Sequence, residues 1–230
     1  MHTCFSLHEH QPGLAVEQAD FHRDVYHHAA EVLVDLASKG IFSSSVKGEI
    51  QMNTSIPLPD IGSLPPGIKE TVESTPLNVF LMAANAPASF ITFAGFARSI
   101  LFESDFDSRK REIAVLRVAR VTNANYEWTH HVAIARQCGV TNEEIEKIKA
   151  EDPVTSLGDE VNLLCRAADE ITRNVRLSDE ALVQILDRYG VRGATELILC
   201  VSYFNMVSRF LESTRVPLEE EDVLKKFHKT

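Results

Sequence analysis

The four cysteines of this sequence, Cys4, Cys138, Cys165 and Cys200, are too scattered to make a CxxC or any other metal-ligand spacing. They read as free thiols, and three of them sit in apolar helical surroundings, where an inert buried cysteine is the usual case. Neither a metal nor another cofactor is expected. Basic clusters are missing too. With 33 acidic residues against 23 basic ones and a formal net charge of −10, the chain repels nucleic acid and anionic membranes, so neither is expected as a partner. There is no long hydrophobic run: the stretch over residues 79–100 is interrupted by Asn85, Pro87 and Ser89, which excludes a transmembrane helix. The first 18 residues place His8, Glu9 and His10 where an export signal needs an unbroken apolar core, and the expected location is cytoplasmic. Period-two alternation, the mark of strands, is almost absent, and no internal repeat stands out.

What is present is enough for one sizeable core: 230 residues, 44% apolar and 24% charged. The composition changes near residue 52. Before it lie His2, His8, His10, His22, His27 and His28, a helical spacing of Phe21, Val25, Leu33 and Leu36 over residues 15–38, and a Ser/Gly/Pro-rich stretch from 40 to 66 that reads as a linker. Residues 1–50 are therefore expected to be an N-terminal extension with one helix, and residues 51–230 the main domain. The pairs His8/His10 and His27/His28 invite a metal reading. Successive residues of a helix diverge by about 100°, so a solvated or interface face is the better account.

The rest of the chain is a succession of helical patterns. Thr75 and Pro76 read as an N-cap and a first helical proline, opening a helix to about residue 85. Further helices are expected over residues 88–102, over 109–121 capped by Ser108, and from Asn123 or Asn125 to just before Gly139. Thr141 and Glu144 make a capping box for a short helix to residue 150. Helices over 157–174, 178–189 and 194–212 complete an all-α chain, the second of these ended by Gly190. Tyr203, Phe204 and Met206 read as core or subunit interface, and the run Glu219-Glu220-Glu221-Asp222 as a solvated face.

On the helix over 109–121, Glu112 falls within the apolar arc of Val115, Leu116 and Ala119, with Arg117 and Arg120 to one side. A carboxylate there has to be paired, hydrogen-bonded or protonated, because burying it alone costs several kcal/mol. The next helix supplies a partner in Tyr126-Glu127-Trp128-Thr129-His130-His131. Glu127 and His131 stand at i and i+4, stacking a carboxylate on an imidazole along one face. Two carboxylates around one imidazole suit proton transfer, and they equally suit a structural tie between two helices.

Arg111-Glu112-Ile113, the YEW-x-x-H stretch from Tyr126 through Ala135, and Gly139 to Ile145 resemble the carboxymuconolactone decarboxylase and AhpD-like family, and residues 201–210 resemble its closing helix. The resemblance spans residues 58–218. It implies an AhpD-like helical bundle of roughly six to eight helices, the extra N-terminal helix added, in a homo-oligomer, commonly a trimer or hexamer. AhpD-like peroxidases use C-x-x-C-x-x-x-H with an upstream Glu. With the motif's His on His131, the cysteine positions fall on Ala124 and Glu127, so the dithiol is absent, and Cys138 lies about 10 Å further along the helix.

The resemblance thus implies a decarboxylase-like lyase acting on a small lactone or carboxylic acid. His131, Glu127 and Glu112 are the candidate catalytic residues: His131 moves the proton, Glu127 orients its ring, and Glu112 tunes or relays. Trp128, His130, Arg111, Arg117 and Arg120 are the candidate substrate-binding residues, the arginines because an acid substrate needs a local cation. Alternatives that stay open are a peroxidase-like oxidoreductase, a hydrolase or isomerase using the same pair, and a helical oligomer without chemistry.

Overall fold

The computed structural model describes residues 55–220. The helix expected over residues 15–38 and the histidine pairs near the start lie outside the described residues. Among those described, eight α-helices and no strand are found, as the sequence patterns require. No helix among them is long and apolar enough to cross a membrane.

A 3-10 turn, Ile61–Ser63, capped by the Asp60 side chain, leads into α1 (Pro66–Ser74). This helix falls partly on the stretch read as linker; Pro66 in its first turn suits a position whose N–H has no helical partner. Thr75 does not open the next helix but closes α1, its N–H donating to the Thr71 carbonyl at 3.0 Å, because Pro76 pushes the preceding residue out of the helical region. α2 (Asn78–Ala83) follows, then α3 (Pro87–Arg98), which runs into a π-helical turn, Ser99–Glu103. α4 (Ser108–Val121) is capped one residue earlier than expected, by Asp107, whose side chain accepts from the Lys110 N–H at 3.0 Å. α5 (Asn125–Gln137) and α6 (Asn142–Ala150) follow, the latter with both bonds of the Thr141/Glu144 capping box in place. α7 (Asp159–Asn174) precedes α8 (Asp179–Thr214), in which the two expected helices run on through a break at Gly190, at φ 67° and ψ 179°.

α4 is the axis of the bundle, packed by α5, α6, α7 and α8. Every residue from 111 to 119 is buried, so this helix has no solvent face over that length. That overturns the one-sided arc expected for it and forces its charged members to find partners inside. Arg117 does so by donating to both oxygens of Asp169, at 2.6 and 2.8 Å, to the Ile148 and Glu151 carbonyls at 3.1 and 2.7 Å, and to Asp152 at 3.0 Å. A smaller apolar cluster of Ile68, Val72, Ala83, Ala84 and Phe90 joins α1, α2 and α3. Beyond α8 the chain turns through Arg215, at φ 55°, and returns over α2, where Asn78 Nδ2 donates to the Pro217 carbonyl at 3.1 Å.

Candidate active site

The hairpin of α4 and α5 turns on Asn123, which adopts the left-handed conformation (φ 55°) that asparagine tolerates, and the Ala124 N–H donates back to the Ala119 carbonyl at 2.9 Å. The two helices therefore run past each other, and residues on opposite sides of the turn meet. His131 Nδ1 lies 2.7 Å from Glu112 Oε2, and its Nε2 lies 3.2 Å from Glu127 Oε2. Glu112 is 0% exposed; its other oxygen accepts from Arg111 Nε at 3.0 Å. Phe204 meets the imidazole edge-on, with ring centroids 4.8 Å apart. Arg111, Glu112, His131 and Glu127 thus form one continuous chain of alternating charge.

Burial alone would favour neutral imidazole, but the Glu112 charge and hydrogen bond, with those of Glu127, outweigh it and raise the His131 pKa to about 10. Burial likewise opposes the ionised form of Glu112, yet His131 and Arg111 bring its carboxyl below the ordinary value. Both directions describe the same imidazolium–carboxylate pair. Of the two carboxylates, Glu127 borders open space: a cavity of about 90 Å³ lined by Tyr126, Glu127, His130 and His131 on one side and by apolar residues including Leu77, Phe93, Ala97 and Val207 on the other. A wider groove of about 1020 Å³ runs along α7 and α8 beside Arg166 and Asp169, and no member of the acid–base chain lines it.

The structure brings together His131, Glu127 and Glu112 and adds His130 to the cavity wall. It does not bring the other expected substrate-binding residues there. Arg111 is engaged on Glu112. Arg117 is committed to Asp169 on the α7 side, and Arg120 donates to the Lys149 carbonyl at 2.6 Å. Trp128, one residue and so about 100° round from Glu127, faces α6, with the Lys149 ammonium 5.7 Å from its ring centre. No lysine or arginine among the described residues lines the cavity. Tyr203 and Phe204, buried in the core as the sequence placed them, also border the cavity, while Met206 is turned outward.

Two residues were not anticipated. Tyr126 stands one turn before His130, a signal the sequence does contain. Glu219, read as part of a solvated run, is 8% exposed: its carboxylate accepts from the Tyr126 hydroxyl, from His130 Nε2 at 2.7 Å and from the Asn78 N–H at 2.6 Å. Its partners lie so far away in the chain that no local pattern announces them. As for thiols, Cys165 and Cys200 are buried, which pushes Cys165 up to about 12 and Cys200 well above the usual range, the latter with help from the Glu112 charge. No cysteine among the described residues lines the cavity.

No curated protein matches the sequence. Solved structures share the fold, among them two peroxidase-related proteins. One is an AhpD-core, uncharacterized peroxidase-related protein from Ralstonia eutropha JMP134, at 17% identity and TM-score 0.62, covering 74% of this chain and 94% of that one. The other is an uncharacterized peroxidase-related protein from Silicibacter sp. TM1040, at 19% identity and TM-score 0.62, covering 76% and 97%. The model of the carboxymuconolactone decarboxylase family matches residues 87–170, which hold the whole Arg111–Glu112–His131–Glu127 chain. Residues 87–170 are thus similar to the carboxymuconolactone decarboxylase family, and the chain has an AhpD-like helical fold.

Proposed function

We propose that the protein is an acid–base enzyme acting on a small lactone or carboxylic acid, with a decarboxylase-like lyase reaction as the model. The observation that carries this reading is the position of Glu127: a carboxylate at the wall of an apolar cavity, with the His131 imidazolium behind it and Glu112 behind that. With its pKa raised to about 10, His131 keeps its proton at neutral pH, so the set is loaded as an acid. In a decarboxylation the electron pair of the breaking C–C bond remains on carbon as a dienolate. The proton of the Glu127–His131 pair then passes to that carbon, with Glu127 the group that touches substrate. His131 supplies the proton, and Glu112, held by Arg111, fixes the ring. The family match supports the choice of reaction. A thiol-peroxidase reading has no cysteine at the cavity to support it.

The test is turnover of a panel of small lactone acids, followed by CO₂ release and by deuterium uptake from heavy water into the product. Glu127→Gln should lower turnover about 10²- to 10⁴-fold, the usual worth of a positioned proton donor, with the helical spectrum unchanged. Undiminished turnover in that variant would overturn the reading. So would hydroperoxide consumption with a dithiol donor that is lost in Cys138→Ser.

A further inference from the structure

An acid substrate in this cavity needs something to hold its carboxylate, and no arginine or lysine among the described residues is there to do it. The structure nevertheless holds a carboxylate beside the cavity. Glu219 brings its own from the segment after α8, and three donors converge on it: the Tyr126 hydroxyl, His130 Nε2–H and the Asn78 backbone N–H. Tyr126 accepts from the Val79 N–H at 3.1 Å, which leaves its own proton to point at Glu219. Charge-assisted bonds of this kind let a carboxylate stay ionised out of water, and the Glu219 carboxyl accordingly lies below its ordinary value.

Two of the donors are also cavity walls. Tyr126 adjoins Glu127 in sequence and His130 adjoins His131, so a carboxylate held by them sets the body of its molecule beside the proton-transfer pair. The cavity, at about 90 Å³, has room for roughly three waters at about 30 Å³ each, whereas sites for small organic ligands run to about 300 Å³ and above. Among the described residues, the segment that carries Glu219 is held, beyond Glu219 itself, by the Asn78–Pro217 bond, by the Arg215 and Val216 N–H bonds to the Leu211 carbonyl and by Val216 packing on the core, and no helical hydrogen bonds run through residues 217–220. Withdrawing it frees the three donors.

We propose that Tyr126, His130 and the Asn78 N–H form the substrate's carboxylate subsite, occupied in the resting chain by Glu219, and that a small monocarboxylate replaces Glu219 as residues 215–220 swing away. This inference rests on the acid–base reading above and adds to it the place where the acid group is held.

Propionate is the probe, titrated calorimetrically into the full chain, with propionamide as the uncharged control. Glu219→Ala removes the internal competitor and should bind propionate at least about tenfold tighter than the parent chain, since a ligand is penalised by the fraction of sites already filled. Adding Tyr126→Phe should take back about tenfold or more, the loss of one hydrogen bond to a charge. Propionamide should gain nothing. Should Glu219→Ala fail to fold, Glu219→Gln, which keeps size and loses charge, should show the same ranking. Equal propionate affinity in parent and Glu219 variants overturns the proposal, as does binding indifferent to Tyr126→Phe. Because binding is read without turnover, Glu219→Ala combined with Glu127→Gln should still bind propionate. Retained binding with no turnover of any lactone acid by the parent sinks the enzymatic reading alone, and turnover without carboxylate capture sinks the subsite alone.

Discussion

Replacing Glu112 with glutamine keeps the shape of the side chain and removes the charge opposite His131 Nδ1. In the parent chain the His131 pKa rises from 6.5 to about 10 on folding. A group whose pKa is raised in the folded state contributes stability that is fully present below the unfolded pKa, here 6.5, and is lost as pH climbs through about 10. At about 1.4 kcal/mol per tenfold, the full contribution is on the order of 5 kcal/mol, and roughly 3 kcal/mol of it disappears between pH 6 and pH 9. Glu112 sets no second slope in that window. Its carboxyl is lowered, so its stabilisation is present above pH 4.5 and lost only in more acidic solution. The gap in unfolding free energy between parent and Glu112→Gln, measured by urea titration, should therefore be largest near pH 6, at about 3–5 kcal/mol, the usual loss on removing one partner of a buried ion pair. It should narrow by about 2 kcal/mol at pH 9. Other titrating groups are common to both chains and cancel. A gap that stays constant from pH 6 to pH 9 would show that His131 is not held protonated by Glu112.

Arg117→Met leaves Asp169 buried without its cation and should cost about 3–5 kcal/mol in the same urea titration. Turnover per folded molecule should not change, because Arg117 lies outside the acid–base chain. Gly190→Ala puts a side chain on a backbone at φ 67° and ψ 179°; nothing lies within 4 Å of the added carbon, so its cost of about 1–3 kcal/mol is backbone strain alone, seen as a lower melting temperature.

The helical architecture was legible because it rests on local signals. The capping box at Thr141 and Glu144 and the i, i+4 pair of Glu127 and His131 can each be read from a few adjacent residues, and both appear as expected. Glu112 was legible for a different reason: a carboxylate on an apolar arc demands a partner, and the next helix offered one. What could not be read depends on distant contacts. Arg117 was read as a substrate-binding cation because its ties, to Asp169 and to the end of α6, come from residues 52 and 31 positions away. Glu219 looked solvated because three acidic neighbours follow it, whereas its depth is set by α2 and α5. α1 was missed and the start of α2 misread because Thr75-Pro76 is both a sound N-cap signal and a helix stop, and only the preceding turn decides between them.

With a carboxylate on each of its two nitrogens and the edge of a benzene ring against its side, the imidazole at position 131 has no freedom to swivel. A hydrogen nucleus on this ring can move only along the line between the two carboxylates. The Glu112 end of that line is sealed from water, so it is a dead end rather than a conduit. On the proposed acid–base reading, a proton given up at Glu127 has to return through the cavity face of Glu127, and the pair is idle until that face is wetted again.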